Sequence, residues 1–321
     1  MDSKPPLAPL PQFEVRLSAP DLQDWRAGNT GIPGVTTRDS GHPGPHVVLL
    51  GMTHGNEIVG AIALDRLLQS GFSPRMGRLT VAFANLAAFD RFDPARPTAS
   101  RFVDEDLNRV WDLAVLDGPR HSIELNRARA LRPLIDTADV LLDIHSMLWD
   151  ADPLMLCGEA PGGRVMARGI GAPSLVVADS GHANGRRIID YVRFTAPGAT
   201  ACANLLEAGQ HWQPATVTTA LACLGGVLRW TGLAEPDFVL ASAPSAAQRV
   251  AEVTQVVTAA TSQFAFVQPW RGGDVVPVRN TLLALDGETE IRTPHDDCLL
   301  VMPSLRPGRG HTAVRLGRFV D

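Results

Sequence analysis

The chain has 321 residues, 45% of them hydrophobic, and a formal net charge of −5, enough apolar material for a sizeable core divided over two domains. Arginines and acids are interspersed along it, which excludes the basic stripe that nucleic acid or an anionic membrane would need. The single lysine, Lys4, lies in a Pro-rich opening stretch, which excludes P-loop NTPases and pyridoxal enzymes, since both need a lysine on the phosphates or the cofactor.

No G-x-S-x-G elbow occurs, which argues against an ordinary α/β serine hydrolase. Cys157, Cys202, Cys223 and Cys298 stand far apart, which indicates neither a disulfide framework nor a zinc ribbon and suits a reducing cytoplasm. The sequence shows no signal peptide and no run of about 18 apolar residues, so a cytoplasmic protein without a membrane span is expected.

Residues 1–12 read as a flexible leader. Phe13–Leu17 alternates apolar and polar residues, and Val35–Arg38 is expected to pair with it as an early hairpin. His46–Leu50 is a continuous apolar run of the kind found in a buried parallel strand, and Ile58–Gln69 carries apolar residues at helical spacing. Between them, Gly51–Gly60 holds His54 and Glu57. An imidazole and a carboxylate three residues apart can grip one divalent cation, although the pair alone also suits a solvated turn. In open α/β sheets such a strand-to-helix turn is where ligands bind.

Leu79–Leu86 predicts the next buried strand. The polar segment Asp90–Asp117 is too long for an ordinary connection and contains Arg101 to Arg109. A helix over Ser122–Leu134 is followed by the strand Val140–Ile144, which delivers His145 at its carboxyl end. Leu154–Cys157 and Leu175–Ala178 read as further strands around a Gly-rich helix or loop. Ala201–Leu206 is one more strand, ending in Glu207, and Ala215–Trp230 has helical periodicity. After Glu235-Pro236 the texture turns to short β-type runs broken by Gly-Gly, Asp-Gly and Pro-Gly pairs. Two domains are therefore expected: residues 1–235, α/β, and residues 236–321, β-rich.

His54, Glu57 and His145 together make a His2Glu set, the ligand type of open catalytic zinc sites, and Glu207 could serve as a base beside it. Their separation along the chain means that only the fold can join them. A satisfied core histidine at 145, and a carboxylate at 207 that pairs a buried arginine, remain the alternatives.

Four ordered motifs, HGNE (54–57), RFVDEDLNR (101–109), DIH (143–145) and LLEAGQ (205–210), resemble the aspartoacylase and succinylglutamate desuccinylase family, a relative of the zinc carboxypeptidases. The resemblance spans Val47–Gln210 and extends more weakly to Leu285-Asp286-Gly287 and Thr293-Pro294. It implies an α/β fold with a mixed sheet flanked by helices, and a smaller carboxy-terminal β-rich domain that covers the active-site entrance. It further implies one Zn2+ per chain on His54, Glu57 and His145, with Asp143 orienting a ligand histidine. Glu207 would be general base and acid, Arg101 would steady the oxyanion, and Asn108 and Arg109 would hold a substrate carboxylate. The implied reaction is amide hydrolysis of a small N-acyl substrate.

One departure stands out. Acetylaspartate-cleaving members place a tyrosine from the carboxy-terminal domain on the substrate, whereas the one tyrosine here is Tyr191, which puts acetylaspartate in doubt. The basic segment containing Arg186, Arg187, Tyr191 and Arg193 reads as a solvated helix face or a second anion contact. His182 and His211 are taken as pocket or surface residues and not as ligands. Carboxypeptidase action on peptides and a catalytically lapsed metal-binding protein are the competing readings, and the sequence leaves homo-oligomerisation open.

Overall fold

A computed structural model of the chain describes residues 13–181, 184–242 and 246–320. In chain order it contains β1 (Val35–Asp39), β2 (His46–Gly51), α1 (Ile58–Gln69), β3 (Arg78–Phe83), the single turns α2 (Leu86–Phe89) and α3 (Leu113–Leu116), α4 (Ile123–Ile135) and β4 (Val140–Met147). There follow β5 (Leu154–Leu156), α5 (Pro161–Ile170), β6 (Leu175–Ala178), the short α6 (Val192–Thr195), β7 (Cys202–Gln210) and α7 (Pro214–Trp230). The rest is β8 (Arg249–Thr258), β9 (Phe264–Phe266), β10 (Val275–Val276), β11 (Leu282–Asp286), β12 (Thr289–Arg292), β13 (Cys298–Val301) and β14 (Thr312–Phe319).

Eleven strands form one mixed sheet in the order β1-β3-β2-β4-β7-β5-β6-β8-β14-β13-β10. Strands β3, β2, β4 and β7 run parallel at its centre, and β5 runs antiparallel to β7. All six residues of β2 and all eight of β4 are buried, as expected for strands covered on both faces. Alternate residues of β2 feed two cores: Val47 and Leu49 join the core built with α1, α5 and α7, and Val48 and Leu50 join the one built with α4. Ser122 starts α4 by accepting the Leu125 amide on its hydroxyl, an N-cap that satisfies a donor the helix itself cannot.

The mixed α/β sheet with flanking helices follows the expected fold class. The carboxy-terminal segment carries a separate three-stranded antiparallel sheet, β12-β11-β9, with its own apolar cluster. The large sheet also continues into this segment, because β8 pairs parallel to β6.

The early hairpin is not formed. Val35–Asp39 pairs antiparallel with β3, about forty residues downstream, and Phe13–Leu17 is not a strand. Phe13, Val15 and Leu17 instead pack on the core as an extended segment, with the Arg16 amide bonded to the Trp212 carbonyl at 3.1 Å. Alternation reports a half-buried extended chain, which a strand and a tethered coil share. Residues 1–12, including Lys4, lie outside the described residues.

Candidate active site

The turn between β2 and α1 is tight because its flanking glycines touch. A Cβ on Gly60 would lie 3.0 Å from the Gly51 Cα, so a side chain there would push α1 off the strand end. Within this turn His54 and Glu57 are buried, and the Glu57 carboxylate sits between two imidazoles. Oε1 lies 2.8 Å from His54 Nδ1, and Oε2 lies 3.0 Å from His145 Nδ1. Although burial opposes its charge, His54 and His145 hold Glu57 well below the usual carboxylate range.

Each histidine is oriented through its other nitrogen. His145 Nε2 meets Asp143 Oδ2 at 2.7 Å, and Asp143 Oδ1 accepts from the Thr53 hydroxyl at 2.9 Å. His54 Nε2 meets Asp106 Oδ1 at 2.9 Å. Such carboxylate partners leave Nδ1 as the free donor toward a metal and raise its basicity. Donor atoms of His54, Glu57 and His145 lie within 4.8 Å of one another, the one such His/Cys/Asp/Glu group among the described residues. Two neutral nitrogens, one anionic oxygen and an open side fit a divalent ion such as zinc.

The long loop from Arg101 to Arg109 is held by a residue that the sequence did not single out. Buried Glu124, in the first turn of α4, accepts from the amides of Val103, Asp104 and Glu105 at 2.7 to 3.2 Å and from Asn85 Nδ2 at 3.1 Å. The loop thereby brings Arg101 to Glu57 Oε1 and Asp106 Oδ2, both at 3.2 Å. In the sequence Asp106 stands out only as one residue of the RFVDEDLNR motif. Its place beside Asn108 and Arg109 in the DLNR run was the available signal.

Asn108 is buried and accepts the Ile188 amide on Oδ1 at 2.9 Å. Arg109 lines the cavity and donates to the Asn108 carbonyl at 2.7 Å. Its acidic neighbours are engaged elsewhere: Asp104 with the Ile123 amide, Glu105 with Arg120, Asp106 with His54 and Arg101, and Asp112 with Arg186. Burial, reinforced by the charges of Arg101, Arg187 and Arg315, lowers the Arg109 guanidinium to about 10, so an anion in the cavity would be welcome there.

Glu207, on β7, is buried, and its Oε2 has no hydrogen-bond partner among the described residues. Burial and then the Glu57 charge push its carboxyl up to about 8. The cavity that joins these residues measures about 280 Å³, the scale of a small-molecule site. Met302, Ser304 and Arg315 from the carboxy-terminal segment line it as well.

The segment 186–193 is not a solvated helix face. Arg187 is buried in the cavity wall, with Nη1 and Nη2 donating to Asp179 at 3.1 and 2.8 Å and Nε donating to Asp190 at 2.7 Å. Arg186 and Arg193 instead pair outward with Asp112 and Asp139. Tyr191 packs against Trp111 and bonds Asp136 and Arg132, outside the cavity. His211 lines the cavity, while His182 lies outside the described residues.

A parallel-centred sheet that gathers a buried His2Glu cluster and a lone carboxylate defines a class of α/β proteins built around a candidate metal centre. Residues 43–226, more than half of the chain, match the model of the succinylglutamate desuccinylase/aspartoacylase catalytic domain, and the chain belongs to that family of deacylases. An aspartoacylase of Xenopus tropicalis is 29% identical over 123 residues, 35% of this chain and 37% of that protein, so the match spans little more than a third of its length. The succinylglutamate desuccinylase of Vibrio cholerae superposes with a TM-score of 0.66 at 18% identity, over 87% of this chain and 83% of that one. A succinylglutamate desuccinylase/aspartoacylase of Rhodobacter sphaeroides gives 0.65 at 18% identity, over 89% of each chain. At these identities the likeness to the solved structures is one of fold.

Proposed function

We propose that the chain is a zinc-dependent hydrolase that cleaves the amide bond of a small N-acylated, carboxylate-bearing substrate. The observation that carries this reading is the pairing of the buried His54–Glu57–His145 cluster with the buried Glu207, whose Oε2 has no hydrogen-bond partner among the described residues, in one small cavity. A zinc ion on the three ligands would supply a Lewis acid for the acyl oxygen and acidify water.

The chain's own groups account for the proton movements and the binding. Glu207 takes a proton from the attacking water and delivers it to the amine nitrogen as the C–N bond breaks, leaving a carboxylic acid and a free amine. Arg101 donates to the acyl oxygen as negative charge grows on it. Arg109, on a loop pinned by Glu124, binds the substrate carboxylate, and Asn108 fixes that part of the loop through the Ile188 amide. Residues 236–321 act as the β-rich domain that narrows the entrance, which the presence of Met302, Ser304 and Arg315 in the cavity wall supports.

A cytoplasmic setting suits the four cysteines, all unpaired and buried, and no helix among the described residues is long and apolar enough to cross a membrane. The test is a panel of N-acyl amino acids offered to zinc-loaded protein, with release of free amine as the readout. Cleavage of carboxylate-bearing members is expected, and no release from any member overturns the reading.

A further inference from the structure

His211 is a buried imidazole on the cavity wall that the proposed chemistry does not use. It follows β7 directly, behind an irregularity in the strand. Between the pairs His145↔Glu207 and Met147↔Gln210, β7 carries one residue more than β4, and Gly209 there adopts φ +130°, a backbone that glycine tolerates. Such bulges re-aim side chains beside active sites. The His211 amide bonds the Met147 carbonyl at 2.7 Å, and its ring Nδ1 lies 2.7 Å from the Ser146 hydroxyl.

That hydroxyl has no other hydrogen-bond partner among the described residues. If Nδ1 carried the proton, the Ser146 O–H would have no protein acceptor among the described residues, an arrangement that buried hydroxyls avoid. The pair is satisfied when Ser146 donates to Nδ1, and Nε2 then carries the proton. No protein group among the described residues accepts it. The Ser146 amide in turn donates to Glu57 Oε2 at 3.0 Å, whereas Arg101 approaches Glu57 from Oε1. The Ser146 amide and Arg101 thus hold opposite oxygens of the Glu57 carboxylate, and Ser146 links His211 to the cluster.

We propose that His211 is a further catalytic residue of this site: a neutral donor, locked by Ser146, whose Nε2–H in the cavity hydrogen-bonds the substrate's acyl oxygen alongside Arg101. The proposal rests on the hydrolase reading for its catalytic role, and the geometry of the donor is tested separately.

In protein labelled with 15N-histidine, with the His211 signal identified by its loss in His211→Gln, the neutral Nε2–H tautomer is expected. Its Nε2 resonance should move when acetohydroxamate is added to zinc-loaded protein, and Ser146→Ala should turn the single tautomer into a mixture. An Nδ1–H tautomer, or an Nε2 that ignores the probe, overturns the proposal. With any N-acyl substrate that the wild type cleaves, His211→Phe should lower kcat about 10²-fold, the usual loss of one oxyanion donor, with KM little changed. His211→Gln, which keeps an N–H at similar reach, should recover part of that loss. Unchanged kcat in His211→Phe, a loss confined to KM, or equal losses in the Phe and Gln variants also overturn it. If the wild type cleaves no amide, the hydrolase reading fails, and the tautomer and probe shift still decide the donor.

Discussion

His145 and Glu207 are register partners on adjacent parallel strands, β4 and β7. Their strand positions alternate in phase with Leu141 and Leu205, which face the α4 core, so both side chains leave the same face of the sheet at the same height. A candidate metal ligand is thereby set beside a candidate acid/base without any loop to position either.

From the Nδ1 geometry of His54 and His145 around Glu57, purified protein is expected to hold one zinc per chain. His145→Ala should lose it, with activity. Elemental analysis of both proteins checks this, and full zinc with wild-type turnover in the variant would mean that other residues hold the metal.

Glu207→Gln should retain zinc and lose at least about 10²-fold in kcat, the usual contribution of a positioned acid/base. The metal-free protein offers a second check. Because the folded-state carboxyl is pushed up to about 8, the folded chain holds a proton that the unfolded chain releases near 4.5. Glu207 therefore costs stability progressively as pH rises from about 5 to 8, by at most about 1.4 kcal/mol per pH unit. Thermal melts of the two metal-free proteins should show Glu207→Gln gaining on wild type across that range, whereas parallel curves would contradict the raised carboxyl.

Arg109 is tested by a cycle. Converting the substrate carboxylate to a neutral amide should cost the wild-type enzyme about 2 to 4 kcal/mol in kcat/KM, and cost Arg109→Met far less, since the partner charge is already gone. An equal penalty in the two enzymes would show that Arg109 does not touch the carboxylate.

Arg187 answers two carboxylates at once, the buried Asp179 and the partly exposed Asp190. Arg187→Met should destabilise the fold by about 3 to 5 kcal/mol, because both acids are left without that cation. Chemical denaturation measures the loss, and a change below about 1 kcal/mol would show that the pair relaxes into solvent.

Peptides of ten residues should be poor substrates for the full-length protein, given a cavity of about 280 Å³ walled in part by the carboxy-terminal segment. Efficient release of amino acids from such peptides, followed by chromatography, would favour the carboxypeptidase reading.

The sequence by itself determined the elements whose period is long and uninterrupted. The limits of α1 coincide with the expected ones, β2 and β4 lie where continuous apolar runs placed them, and the four ordered motifs named the family. It also put His54 and Glu57 on one strand-to-helix turn, because three residues leave them no room to part. Tertiary structure alone decided the rest. Val35–Asp39 took its hydrogen bonds from β3 and not from its neighbour in sequence, since strand pairing is settled by which edge is free and not by proximity. Asp106, Glu124 and His211 gained their places only when remote segments met: an acid on a histidine 52 residues back, a helix start under a loop, an imidazole on a serine 65 residues away. Periodicity encodes which face of an element is buried, whereas a polar side chain's partner depends on the angle and distance at which two elements pack, and no local pattern carries that information.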